Sequence, residues 1–254
     1  MMPIATHVND APAVKTIRFE ESIIAAPGQF VMVWVPSVDE FPMSVSYIGE
    51  QFGFTYQILG EGTKALSAKK PGDIVGVRGP YGHGFSIKGK RLLMVAGGLG
   101  MAPIAPFVER AIEHKSSVDL VLGAKSSGNL LFEKRAVDAG AEVHIATDDG
   151  SRGFRGFASD LTASLLKGES FDGIYTCGPE PMIVKVLEIA TARRIPVQAS
   201  LERLMKCGIG VCDSCAIDGR HVCRDGPVFS EKDLRDFGDL GRAKLDASGR
   251  KVPI

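Results

Sequence analysis

The sequence predicts an α/β protein with an antiparallel β-barrel at its amino-terminal end and a small cysteine-bearing segment at its carboxyl end. Three observations carry this reading. Short β-rich runs broken by Gly and Pro fill roughly the first 80 residues. Strand-like and helix-like runs then alternate over about 110 residues. Four of the five cysteines fall between Cys207 and Cys223.

In the first part, residues 16–22 (TIRFEES), 29–36 (QFVMVWVP), 41–49 (FPMSVSYIG), 53–60 (GFTYQILG) and 73–80 (DIVGVRGP) are strand candidates. Their close spacing, with no long helical period between them, suits a small antiparallel barrel. The Gly-rich run 60–66 (GEGTKAL) reads as a turn. From Lys90 the texture changes. RLLMVAGG (91–98) is an apolar parallel-type strand ending in a glycine turn, and residues 101–115 read as a helix with Pro103 near its start, where a missing N–H costs little. Strands at 117–126, 141–150, 171–179 and 195–202 alternate with helices at 129–140, 158–169 and 180–194. That alternation indicates a doubly wound parallel sheet. The expected division is a barrel domain over 1–88, a nucleotide-binding α/β domain over 89–198, and a cysteine segment with a polar tail over 199–254.

Composition narrows the function classes. Lys plus Arg equals Asp plus Glu at 30 each, and no basic run suggests a nucleic-acid backbone as partner. No apolar stretch approaches the ~20 residues of a membrane helix. The opening residues lack a basic region followed by an apolar one, so no secretory signal is read there and a cytoplasmic protein is expected. In that compartment clustered cysteines are metal ligands or redox groups rather than disulfides. No Ser/His/Asp set and no paired carboxylates stand out, which weighs against a hydrolase.

The cysteines Cys207, Cys212, Cys215 and Cys223 are spaced C-x4-C-x2-C-x7-C. C-x4-C-x2-C is the plant-type [2Fe–2S] ligand run. Structural zinc usually takes two C-x2-C knuckles, and only one is present. Gly208 and Gly210 fit a loop whose N–H groups turn toward sulfur. Zinc and uncommitted thiols are the alternatives, and the final gap of seven is shorter than in plant-type ferredoxins. His221 stands alone, whereas a Rieske centre needs two histidines.

VAGGLGMAP (95–103) follows a strand and opens a helix, so Gly97, Gly98 and Gly100 would let the backbone approach a pyrophosphate. The run is not G-x-G-x-x-G, and a plain glycine turn is the competing reading. CGPEPM (177–182) ends a later strand, where open α/β sheets place ligands. Cys177 is either a buried structural cysteine or a sulfur set beside a nicotinamide ring. Ser44, Gly62 and Thr63 lie in short polar turns able to donate to phosphate oxygens. His83 reads as a surface loop residue.

The order of barrel, GGLGMAP, CGPEPM, cysteine run and RDGPVF resembles the ferredoxin–NADP reductase superfamily. Within it, LERLMKCGIGVCDSC (201–215) with VCRDGPVF (222–229) is similar to the electron transfer subunits of NAD-dependent, class 1B dihydroorotate dehydrogenases. The resemblance implies that the barrel binds FAD. The family's Arg-Pro-x-Ser motif matches Phe41, Pro42, Met43 and Ser44, with Phe in place of Arg. Thr55, Tyr56 and Gln57 match a second FAD contact, and Gly62 with Thr63 a third. Gly97, Gly98, Gly100, Gly178 and Pro179 would hold NAD(H), with Cys177 as the catalytic contact. The four clustered cysteines would ligate [2Fe–2S].

The partner implied is an FMN-containing dihydroorotate dehydrogenase catalytic subunit, in a heterotetramer of two of each, acting in pyrimidine (UMP) biosynthesis. Lys125, Ser126 and Ser127 leave NADP open as the alternative nucleotide. Two rival readings remain. One is the small FAD/[2Fe–2S] subunit of an electron-bifurcating NADH–ferredoxin:NADP oxidoreductase or of a sulfhydrogenase, whose cluster segments often read DGPEF where this chain has DGPVF. The other is a non-catalytic redox-sensing module.

Overall fold

Strand β3 (Phe30–Val35) explains how the halves of this molecule meet. The computed structural model describes all 254 residues. In β3, Val31, Val33 and Val35 point into one apolar core, and Phe30 and Met32 belong to another. A strand apolar on both faces is covered on both. The first core fills a closed antiparallel barrel of β1 (Met2–Ala11), β2 (Val14–Phe19), β3, β4 (Asp39–Tyr47), β5 (Gly53–Gln57) and β6 (Ile74–Tyr81), in the order β1-β2-β5-β4-β3-β6.

Two features of the barrel differ from the sequence reading. Residues 2–11 form a sixth strand, β1, which pairs with both β2 and β6 and closes the barrel. Its exposed residues include Pro3 and Val8 beside Thr6, Asn9 and Asp10, and only Ile4 is fully buried, so its alternation is weak in sequence. Residues 61–67, read as part of a turn, form helix α1 (Glu61–Ser67). The Thr63 hydroxyl supplies the start signal: it accepts the N–H groups of Leu59 (2.9 Å) and Gly60 (3.0 Å) and donates to the Gly60 carbonyl. Thr63 thus reaches back to the residues that precede the helix, the reverse half of a capping box, and the N–H groups of the first turn keep no side-chain cap.

The second half is a seven-stranded sheet. Its parallel strands are β7 (Arg91–Gly97), β8 (Ser117–Ala124), β9 (Glu142–Thr147), β10 (Phe154–Arg155), β11 (Gly173–Cys177) and β12 (Val197–Ser200). Helices α2 (Met101–Glu113), α3 (Glu133–Ala139), α4 (Ala158–Leu165) and α5 (Glu180–Arg193) connect them. The order β10-β9-β8-β7-β11-β12 makes the β7/β11 boundary the topological switch point, the usual ligand crevice of such sheets.

The cysteine segment does not stand apart. It holds a small hairpin, β13 (Ala216–Ile217) with β14 (Arg220–His221), and one helical turn, α6 (Val222–Asp225). β15 (Val228–Ser230) then joins the large sheet antiparallel to β12. The tail is structured as α7 (Glu231–Asp236) and a hairpin of β16 (Ala243–Leu245) and β17 (Lys251–Pro253). One continuous core holds Phe30 and Met32 of the barrel, Val95 and Ile174 of the sheet, and Cys215, Val222, Cys223 and Phe229 of the cysteine segment. Burying a side chain such as Phe30 or Met32 there contributes about 1.5–3 kcal/mol.

Candidate functional site

At the switch point the two glycine loops pack backbone on backbone. Cys177 pairs with Ala96 across β11 and β7. A Cβ on Gly97 would stand 2.8 Å from Met182 Sδ and 2.8 Å from Pro179 Cδ, and one on Gly178 would stand 3.0 Å from Gly97 Cα. Gly98 differs: its φ of 54° is left-handed, and no atom approaches the place a Cβ would take. The three glycines of GGLG therefore divide the work. Gly97 and Gly100 let the loops touch, and Gly98 leaves open space ahead of α2.

Cys177 is half-buried at the end of β11. Burial pushes its thiol up to about 12, and the charge of Glu202 adds to this; Ser200 and the Gly178 N–H offset part of it. The group is a neutral thiol at physiological pH, suited to contact rather than nucleophilic attack. Of the residues noted for a 2′-phosphate, the Ser126 hydroxyl donates to Asn129 Oδ1 (2.8 Å) and the Ser127 N–H to Ser151 Oγ (2.7 Å). Lys125 is exposed and in no ion pair.

On the barrel, Pro42, Met43 and Ser44 lie in a run of half-exposed residues on β4, so this strip is open to a ligand. Phe41 lies against the first turn of α1, where a Cβ on Gly62 would stand 2.5 Å from its ring. The first-turn N–H groups there, which a helix leaves without internal partners, are the available phosphate donors. The Thr63 hydroxyl is not, because it already donates to the Gly60 carbonyl. Thr55 and Tyr56 have their side chains engaged within the protein. The Thr55 hydroxyl is buried between Thr16 (2.7 Å) and Ser46 (2.9 Å), and the Tyr56 hydroxyl meets His7 Nε2 at 3.0 Å. Their hydroxyls are thus already engaged, whereas Gln57 is exposed.

The cysteine loop wraps inward. Gly208 and Gly210 have φ of 75° and 78°. The N–H groups of Ile209 and Val211 reach Cys207 Sγ at 3.4 Å, the Gly210 N–H reaches Cys223 Sγ at 3.1 Å, and the Cys223 N–H reaches Cys215 Sγ at 3.5 Å. Burial would raise Cys207, but the Val211 and Ile209 N–H groups and Cys212 outweigh it and bring it down to about 6. Burial, then Cys215, pushes Cys223 up to about 12.

The four thiols do not converge on one point. The one group of three potential ligands whose atoms all lie within 4.8 Å is Asp119, Glu142 and His144, an ion-pair cluster beside Arg91. Thiols spread in this way, with N–H groups on three of the sulfurs, fit a binuclear [2Fe–2S] cluster, not a single tetrahedral zinc. His221 Nε2 meets the Asp213 carboxylate.

Two contacts that sequence reasoning missed tie the loops together. A Cβ on Gly208 would stand 2.9 Å from Met32 Cγ, and Met32 pairs directly with Pro42. The cysteine loop is thus one strand away from the open strip on β4, and strands are about 4.8 Å apart. Arg203, only 2% exposed in its side chain, grips Glu180 of the CGPEPM loop, with Nη2–Oε1 at 2.9 Å. The double-faced β3 pattern signals the first contact; nothing local signals the second.

Known proteins share this arrangement. The iron-sulfur cluster binding domain of dihydroorotate dehydrogenase B matches residues 202–235, and the oxidoreductase NAD-binding domain matches residues 94–188. A probable dihydroorotate dehydrogenase B (NAD(+)) electron transfer subunit of Methanocaldococcus jannaschii is 45% identical over 247 residues, 96% of this chain and 95% of its own. The chain belongs to the family of dihydroorotate dehydrogenase B electron transfer subunits. Another family member, from Methanothermobacter thermautotrophicus, is 41% identical over 260 residues, covering 100% of this chain and 97% of its own.

Among solved structures, an NADH-dependent reduced ferredoxin-NADP oxidoreductase studied for electron bifurcation superposes with a TM-score of 0.86 at 27% identity, covering 94% of this chain and 91% of that one. A cytochrome P450 reductase of Amycolatopsis (TM-score 0.68, 18% identity, 76% and 66% covered) shares the fold. No helix is long and apolar enough to cross a membrane.

Proposed function

We propose that this chain carries electrons from a dihydroorotate-oxidising catalytic subunit to NAD⁺, through a [2Fe–2S] cluster and FAD. The observation that carries the reading is the Gly208–Met32–Pro42 contact, which sets the cysteine loop one strand from the open strip on the barrel. When bound, FAD links hydride transfer to single-electron transfer, and the cluster supplies the single-electron step.

The chain's own residues position and shield these groups. Cys207, Cys212, Cys215 and Cys223 hold the cluster, with backbone N–H groups directed at three of their four sulfurs. Pro42–Ser44, the main chain of Thr55 and Tyr56, Gln57, and the N–H groups of Gly62 and Thr63 line the FAD site. Gly97–Gly100 and Gly178–Pro179 hold NAD(H), with the neutral Cys177 thiol against the nicotinamide. The division follows as a FAD domain over 1–88, a NAD domain over 89–198 and a cluster segment over 199–254. Through β15 the last of these adds a strand to the NAD-domain sheet.

The catalytic partner of this reading carries FMN, and the assembly is a cytoplasmic heterotetramer in pyrimidine (UMP) biosynthesis. Ile209 and Val211, 51% and 73% exposed on the cysteine loop, are the apolar side chains placed to meet the partner. A bifurcating-reductase role is the second reading, favoured by the TM-score of 0.86. Assay of the purified complex separates the two: orotate formation with NAD⁺ reduction supports the first, and ferredoxin-linked NADP⁺ reduction without orotate supports the second.

A further inference from the structure

The barrel and the nucleotide-binding sheet meet through two backbone irregularities that face each other. On the barrel side, β4 bulges at Ser46: Val45 pairs with Phe54 and Tyr47 with Gly53, so Ser46 is the extra residue. Bulges re-aim groups away from the ladder. On the other side, Phe132 precedes α3 with φ of 56°, a left-handed conformation that costs a bulky residue energy and persists only where its surroundings enforce it.

Arg135 joins the two. Its Nη1 donates to the Ser46 carbonyl at 2.7 Å, and its Nε and Nη2 fork onto Glu109 of α2, both at 2.7 Å. Its guanidinium lies 4.1 Å from the Tyr47 ring centroid, and Arg18 of β2 lies 3.7 Å from the same centroid. Two guanidinium groups that close occupy opposite faces of the ring. The Phe132 ring meets Tyr47 edge-on at 5.8 Å. Arg135–Ser46 is the side-chain hydrogen bond that joins a barrel strand to the α/β half. A cleft of about 860 Å³ opens beside it, so packing across the joint is not continuous there.

We infer that Arg135 and Tyr47 are positioning residues for hydride transfer: they fix the angle between the barrel, which carries the flavin, and the sheet, which carries the nicotinamide. This rests on the reading of those two sites given above. Neither residue touches either site. Their effect is geometric, and hydride transfer is steep in geometry, with small misplacements costing up to about 10²-fold. Lysine cannot replace arginine here, because it offers neither the fork onto Glu109 nor a planar face for Tyr47.

The test uses the complex loaded with FAD and cluster, mixed anaerobically with NADH while flavin absorbance is followed. Arg135→Ala and Arg135→Lys each lower the limiting rate of flavin bleaching by about tenfold or more, with the half-saturating NADH concentration changed by less than about twofold. Tyr47→Leu, made from the barrel side, reproduces the defect and keeps the test alive where an Arg135 variant fails to fold. Without NADH, amide hydrogen exchange rises in residues 42–47 and 101–113 of each variant. Variants that keep the wild-type limiting rate, even with a lowered Tm, overturn the inference. A wild-type complex whose flavin is not bleached by NADH overturns the underlying site reading instead.

Discussion

Gly100 lies against the main chain of Cys177, so closely that a Cβ on Gly100 would overlap the Cys177 carbonyl and stand 2.7 Å from Gly178 N. The φ of Gly100 is an ordinary −58°, so the requirement is purely one of space. Gly100→Ala must push the two glycine loops apart, at about 1–3 kcal/mol for overpacking. The expected outcome is an intact flavin and cluster spectrum with NADH-dependent flavin reduction slowed at least about tenfold, as read by stopped-flow absorbance.

Cys177 acts as a neutral thiol. With its pKa pushed up to about 12 by burial, it stays protonated across the working range. The rate of flavin reduction by NADH is therefore expected to show no ionisation near the free-thiol value of about 8.5. Cys177→Ala is expected to slow hydride transfer and leave FAD and cluster bound. Unchanged kinetics in that variant remove Cys177 from the site.

Cys212 is the exposed member of the cysteine set, and its replacement by Ser disturbs little packing. Cys212→Ser is expected to abolish the reduced-cluster EPR signal and to keep NADH-dependent flavin bleaching. Loss of FAD in the same variant would mean that the loop's contact with Met32 also holds the flavin domain in shape.

His7 couples barrel stability to pH. Burial lowers its pKa below 6.5, the Lys69 carbonyl opposes this, and Lys15 adds to the lowering. The neutral ring, held by the Lys69 carbonyl (2.8 Å) and the Tyr56 hydroxyl (3.0 Å), is the folded form. Its contribution is complete above the unfolded value of about 6.5 and is lost as pH falls through the lower folded value. Thermal melts from neutral to mildly acidic pH are expected to show a falling Tm, flattened on that limb by His7→Gln.

Much of this was legible in the sequence because the local signals agree with the fold. The alternation of β and α runs, the glycine turns at strand ends and the cysteine spacing each carry their own physical reason. The misses have reasons too. β1 mixes apolar and polar residues without alternation, and only Ile4 is fully buried, so its period is faint. α1 is short and starts after Gly60, which offers no capping side chain, so it reads as a loop. The Thr55 hydroxyl is tied to Thr16 and Ser46 and the Tyr56 hydroxyl to His7, pairings between strands that no local pattern announces. Arg203–Glu180 and Arg135–Ser46 join residues 23 and 89 apart in sequence, and no local pattern announces such pairs.

The most direct measurement is dihydroorotate-dependent NAD⁺ reduction by the complex purified from its own cells, with wild-type and Cys212→Ser chains compared. The expected result is orotate and NADH formed together by the wild-type complex and not by the variant. An active complex that makes no orotate, or a Cys212→Ser chain that supports full NAD⁺ reduction, would contradict electron transfer through this cluster.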